Sequence, residues 1–212
     1  MLSVIFDMDG TLLDTQRVYI PAWEEVGAKF GIENLGEHIP ACCGRSDADW
    51  KAYLLNLYHF IDIDAFTKDV KAYVIKNLVV RFKKGAPELM AFLKEKGIKV
   101  ALASGSPHNI ISHHLKEVGA ENYFDVIVSG DDVEHGKPAP DVFLLTAEKL
   151  GVDPKSCIVI EDSENGINAG LAAGMTCIGI PDVAVFSDDI VKKMRAKPES
   201  LLDVISIIEN MI

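Results

Sequence analysis

The sequence predicts an α/β fold: a parallel sheet covered by helices on both faces, with a helical insertion after the first strand. Three observations carry this. From Gly85 onward, short β-branched runs alternate with helix-length amphipathic segments, the pattern of a parallel sheet built from strand–helix units. The run Val4-Ile5-Phe6 is continuously apolar, as suits a strand buried on both faces. Residues 16–82 show helical periodicity and no clear strand.

Taken in order, Val4-Ile5-Phe6 ends at Asp7-Met8-Asp9-Gly10, where Gly10 lets the chain turn away. Residues 16–82 read as several helices rich in aromatics (Trp23, Phe30, Trp50, Tyr53, Phe66 among them), punctuated by Gly31, Gly36 and Gly44. Ala86 to Lys96 is a helix closed by Gly97. Ile98–Ala103 is a strand ending at Ser104-Gly105-Ser106, and Pro107 starts a helix reaching Val118. Asp125–Val128 is a strand followed by a polar loop, His135-Gly136-Lys137-Pro138-Ala139-Pro140, and then by a helix from Asp141 to Leu150. Cys157–Ile160 is a strand ending at Glu161-Asp162-Ser163. Ser163 or Asn165 can cap the next helix, which closes near Gly174. Thr176–Ile180 is a strand ending at Pro181-Asp182, and Ser200–Met211 is a last amphipathic helix. The domain reading is a core of residues 1–15 and 83–212, with residues 16–82 as a helical cap inserted after the first strand.

Composition narrows the function. The chain has 212 residues, 49% hydrophobic and 25% charged, with a formal net charge of -11. An acidic balance without a basic stripe argues against nucleic acid or an anionic membrane as partner. Residues near the amino end lack a basic leader, and no apolar stretch approaches a membrane span. Cys42, Cys43, Cys157 and Cys177 have neither zinc-site nor redox-motif spacing. Reduced, mostly buried thiols in a cytoplasmic protein are expected. The sequence leaves oligomeric state open, with a monomer favoured.

In parallel sheets ligands bind beyond the carboxyl ends of the strands. Asp7, Asp9, Ser104, Lys137, Glu161 and Asp162 all follow strands at that end, so four strands aim polar groups at one crevice. Asp7 and Asp9, one residue apart, repel each other, and a hard cation such as Mg²⁺ would relieve that repulsion. Read singly, the first pair is an Asx turn, Lys137 a loop lysine, Ser104 and Ser163 helix caps.

Together these residues resemble the haloacid dehalogenase-like superfamily of phosphoryl-transfer enzymes. Asp7-Met8-Asp9-Gly10-Thr11 is similar to its first motif, Ser104 to the second, Lys137 in Gly136-Lys137-Pro138 to the third, and Glu161-Asp162-Ser163 with Gly166 to the fourth. The resemblance implies a Rossmann-like core with a helical cap, most similar to the β-phosphoglucomutase and sugar-phosphate phosphatase branch. It implies that Asp7 attacks phosphorus, that Asp9 is the acid and base, and that Lys137 neutralises the transferring group. Ser104, Gly105 and Ser106 would hold phosphoryl oxygens, with Thr11 supporting the turn beside them. Mg²⁺ would be held by Asp7, the Asp9 carbonyl and Asp162, with Glu161 reaching it through water. Arg45 would bring a cap contact to substrate.

The function so implied is a Mg²⁺-dependent phosphatase of small phosphorylated metabolites, sugar phosphates among them. The alternative within the branch is a β-phosphoglucomutase. Its pattern carries His where Tyr19 stands and Val where Thr11 stands, and both departures disfavour it. An alternative of another class is a signalling module phosphorylated on Asp7 without turnover; the long insertion and the second aspartate disfavour that. His108, His113 and His114 read as ordinary helix positions.

Overall fold

The computed structural model describes residues 2–43 and 47–212. Its sheet has five parallel strands: β1 (Ser3–Phe6), β2 (Lys99–Ala103), β3 (Val126–Val128), β4 (Cys157–Glu161) and β5 (Thr176–Gly179). They lie in the order β3-β2-β1-β4-β5. β1 is therefore central, with Phe6 paired to Leu102 on one side and Ile160 on the other. Strand order reverses between β1 and β4, where an open α/β sheet leaves a crevice.

Alternation along β1 explains why its run must be apolar throughout. Val4 and Phe6 face one side, where they pack with α5 (Ala86–Glu95), α6 (His108–Glu117) and α10 (Leu201–Glu209) through Leu89, Leu93, Ile111, Leu115, Val204 and Ile208. Ile5 faces the other, with α7 (Asp141–Leu150), α8 (Glu164–Ala172) and the short α9 (Asp188–Val191) through Phe143, Ala147, Ile167 and Ile190. Both faces are dry, so period-two polarity is absent.

Between β1 and β2 lie α1 (Tyr19–Lys29), α2 (Ile39–Cys42), α3 (Asp47–Leu57) and α4 (Ile63–Asn77). Their apolar stripes converge on a third cluster, Trp23, Val26, Leu54, Phe66 and Val70, with Leu35 from the turn before α2, and Val183 after β5 packs against it. Trp23 meets Phe66 edge-on at 5.6 Å, and Phe30 meets Phe66 at 5.9 Å. The chain passes between the two parts twice, and the crossings are tied to each other. Asp14 N donates to Arg81 O and Lys83 N to Leu12 O, each at 2.9 Å.

The structure adjusts several boundaries. β4 runs one residue further than the apolar pattern, because Glu161 O accepts from Ile180 N and continues the ladder. Asp125 stands outside β3, its carboxylate accepting from Val100 N. Pro107 precedes α6 as its cap residue, and α9 has no counterpart in the sequence reading. No disulfide joins the cysteines; Cys157 and Cys177 are buried, and Cys42 and Cys43 are half-buried. Among the described residues no helix is long and apolar enough to cross a membrane.

Candidate active site

Asp7 leaves the sheet at the point where strand order reverses. Its N–H donates to Ile160 O at 3.0 Å, which pins it between β1 and β4. The loop after it turns on Gly10, whose φ of 83° suits a residue without Cβ. Met8, Leu12 and Leu13 are wholly buried and anchor that loop. A Cβ on Gly10 would also collide with Asp162 Oδ2, so glycine is needed there for space as well as for conformation.

Lys137 comes from the loop between β3 and α7, beside a cis peptide to Pro138. Its ammonium has three protons and meets three acceptors: Asp7 Oδ1 at 2.5 Å, Glu161 Oε1 at 2.9 Å and Ala103 O at 3.2 Å. The ring of Phe143 lies 4.9 Å from Nζ. Burial alone would lower the Lys137 pKa, but Asp7 and Glu161 outweigh it and hold the group protonated.

Glu161 and Asp162 end β4 and have different surroundings. Glu161 Oε2 accepts from Ser163 N at 2.6 Å and Ser163 Oγ at 2.9 Å, so both its oxygens are engaged and it aims Lys137. A Cβ on Gly166 would overlap the Glu161 carboxylate, which is why glycine stands in the first turn of α8. Ser163, not Asn165, caps that helix, accepting from Gly166 N. Asp162 Oδ1 accepts from Thr11 Oγ1 at 3.1 Å, and Oδ2 from Gln16 Nε2 at 3.3 Å. Thr11, the residue read as supporting the turn beside the phosphate-holding groups, is wholly buried with its hydroxyl on Asp162.

Carboxylate oxygens of Asp7, Glu161 and Asp162 lie within 4.8 Å of one another, all three residues buried. One lysine cannot balance three such groups. Burial, with Glu161 and Asp9 adding to it, pushes the Asp7 carboxyl up to about 7 despite Lys137. Burial likewise raises Asp162, with Glu161, Asp7 and Asp182 adding to it. A dense all-oxygen cluster with this excess of negative charge fits a hard divalent cation.

Asp9 lies on the opposite flank. Its carboxylate accepts from Thr15 Oγ1 and Ser106 Oγ, each at 2.7 Å. Its backbone carbonyl accepts from Gln16 Nε2 at 3.0 Å. Ser104 is buried at the end of β2, and its Oγ accepts from Ser106 N at 3.0 Å. His108 is exposed and pairs with Asp132, away from the cluster.

Asp7, Asp9, Ser104, Ser106, Lys137, Glu161 and Asp162 thus meet at one crevice. Arg45 lies outside the described residues. Three residues given no role by the sequence lie around these groups: Gln16 donates to Asp9 O and Asp162, His114 stands beside Asp9, and Asp182 is buried behind Gly10. His114 Nδ1 lies 3.9 Å from Asp9 Oδ1. Asp182 ends a fifth strand at the same edge, a signal present in the sequence; Gln16 and His114 carry none. Beyond Gln16, a cavity of about 220 Å³ opens among the helices, lined by Tyr19, Trp23, Cys42, Cys43 and Trp50. Burial, then Asp162 and Asp182, pushes the Cys43 thiol up to about 12, so it stays protonated.

Residues 4–180 match the family model described as haloacid dehalogenase-like hydrolase. The chain belongs to that family. This hydrolase is 36% identical over 182 residues to a phosphorylated carbohydrates phosphatase of Thermotoga maritima, covering 82% of each chain. It is 34% identical to the fructose-1-phosphate phosphatase YqaB of Escherichia coli, covering 84% of this chain and 95% of that one. Among solved structures it is similar to β-phosphoglucomutase from Clostridium difficile, with a TM-score of 0.78 and 26% identity, covering 99% of this chain and 96% of that one.

Proposed function

We propose that this hydrolase cleaves phosphate monoesters of small phosphorylated metabolites, sugar phosphates first among them, through a phosphoryl group carried on Asp7. The observation that carries this reading is the Lys137–Asp7 pair: a buried carboxylate at the sheet's reversal point, with an ammonium on one oxygen and Asp9 one turn of loop away. The names of the relatives supply the substrate class.

Asp7 attacks phosphorus, a P–O bond forms to its carboxylate, and the ester P–O bond breaks. Asp9 gives its proton to the departing alkoxide. It then takes one from the water that attacks the aspartyl phosphate, which frees Asp7 and inorganic phosphate. Its hold on Ser106 and Thr15 keeps the carboxyl beside the crevice. Lys137 opposes the charge of the phosphoryl group, and Glu161 fixes its direction. Ser104 takes the Ser106 amide on its oxygen, so its own proton can go to a phosphoryl oxygen.

Mg²⁺ fits the acidic cluster, and Asp7, the Asp9 carbonyl and Asp162 would hold it. When bound, it supplies positive charge that offsets repulsion between carboxylate and phosphate. Glu161 has both oxygens engaged and would act at a distance from the ion. Residues 16–82 form a cap over the crevice in this reading. Gln16 and the cavity lined by Tyr19 and Trp50 face the leaving group.

The test is phosphate release from a panel of sugar and hexitol phosphates, with and without Mg²⁺, beside Asp7→Asn. Release that needs both Mg²⁺ and Asp7 supports the reading, and no release from any substrate rejects it. The mutase alternative has the fold likeness to β-phosphoglucomutase in its favour. It predicts conversion of glucose 1-phosphate to glucose 6-phosphate with little free phosphate.

A further inference from the structure

Asp182 follows β5, and its side chain is fully buried. Its Oδ1 accepts from Lys83 Nζ at 2.5 Å and from Arg17 Nε at 3.3 Å. Those two cations sit on different crossings between sheet and helices: Arg17 just before α1, Lys83 just before α5. One carboxylate oxygen therefore gathers both crossings. The other oxygen has a different situation. Oδ2 is buried and has no hydrogen-bond partner among the described residues. It points toward Gly10, where a Cβ would come within 3.0 Å of it and closer still to Asp162 Oδ2. The two carboxylates thus face each other across the one position in the loop that has no side chain.

An unpartnered buried carboxylate oxygen is costly and calls for an explanation. We propose that Asp182 is a positioning residue for the acidic cluster, its charge behind Gly10 raising the affinity of Asp7, Asp9 and Asp162 for a divalent cation. The inference rests on the reading that those residues hold a cation. Asp182 touches neither that cation nor the substrate. It acts through the field at Asp162, and Lys83 tempers that field from the far side.

The full chain, titrated calorimetrically with MgCl₂ alone, tests this without any turnover. Asp182→Asn keeps an acceptor for Lys83 and removes the charge. Its dissociation constant for Mg²⁺ should rise by about tenfold while the melting curve stays cooperative. Lys83→Met should act in the opposite sense, tightening Mg²⁺ several-fold, and Lys94→Met on the distant end of α5 should change nothing. A merely structural Asp182 would lower the melting temperature and leave the dissociation constant alone. If the wild type binds Mg²⁺ and both Asp182→Asn and Lys83→Met bind it within about twofold of the wild type, the inference is overturned and the cation site stands. Should Asp182→Asn fail to fold, an unchanged constant in Lys83→Met overturns it. No Mg²⁺ uptake by the wild type removes the cation reading and the inference together.

Discussion

His114 Nδ1 lies 3.9 Å from Asp9 Oδ1, buried, and has no hydrogen-bond partner among the described residues. The distance is too long for a hydrogen bond, so a polar nitrogen is held in an apolar helix face beside the proposed acid and base.

That arrangement costs stability, and the cost depends on pH. Burial lowers the His114 pKa, only partly offset by Asp9. Below about 6.5 the unfolded chain binds a proton that the folded chain resists, so stability falls as pH drops through that value. His114→Val should stabilise the fold by about 1 kcal/mol at neutral pH, and by more at pH 5. Melting temperatures of the two proteins that coincide at both pH values would contradict this.

Asp7→Asn is nearly isosteric and leaves Lys137 paired with Glu161. The variant should fold with an unchanged circular dichroism spectrum and lose at least about a thousandfold in phosphate release. Residual turnover near wild type would remove Asp7 as nucleophile.

Lys137→Ala would leave Asp7 and Glu161 buried without their shared cation. Breaking such a pair by deleting one partner costs about 3–5 kcal/mol. Chemical denaturation in EDTA should show that loss, and Mg²⁺ should recover part of it by supplying positive charge. A loss below about 1 kcal/mol would mean that the ion pair is not buried in solution.

Stabilisation by Mg²⁺ should grow with pH. In the metal-free protein burial pushes Asp7 from 3.8 to about 7, and Asp162 is raised as well. Across that window the folded chain keeps a proton that the unfolded chain has released, so stability falls as pH rises. Mg²⁺ needs these carboxylates ionised. The rise in melting temperature on adding Mg²⁺ should therefore be small at pH 5 and full above about 7. An equal rise at both would show that the ion is held elsewhere.

Gly10→Ala combines two faults, a left-handed backbone and a methyl directed at Asp162. It should destabilise by about 1 kcal/mol or more and weaken Mg²⁺ binding, read by thermal melts and calorimetry. A variant indistinguishable from wild type in both would mean that the loop relaxes away from Asp162.

The parallel sheet was legible in the sequence, because strands buried on both faces must be apolar without alternation, as Val4–Phe6 and Cys157–Ile160 are. The sequence also determined that Asp7, Ser104, Lys137, Glu161 and Asp162 share one edge, because parallel strands all end on the same side. What it could not determine is how each group is partnered across that edge. Thr11 supports its turn through Asp162, 151 positions away in the chain. Glu161 and Asp162 are neighbours in sequence, yet one pairs with Lys137 and the other accepts from Thr11 and Gln16. Gln16, His114 and Asp182 come into reach only through the crossings, the α6 packing and the order of the strands. Such contacts depend on side-chain directions in three dimensions, to which local periodicity is blind.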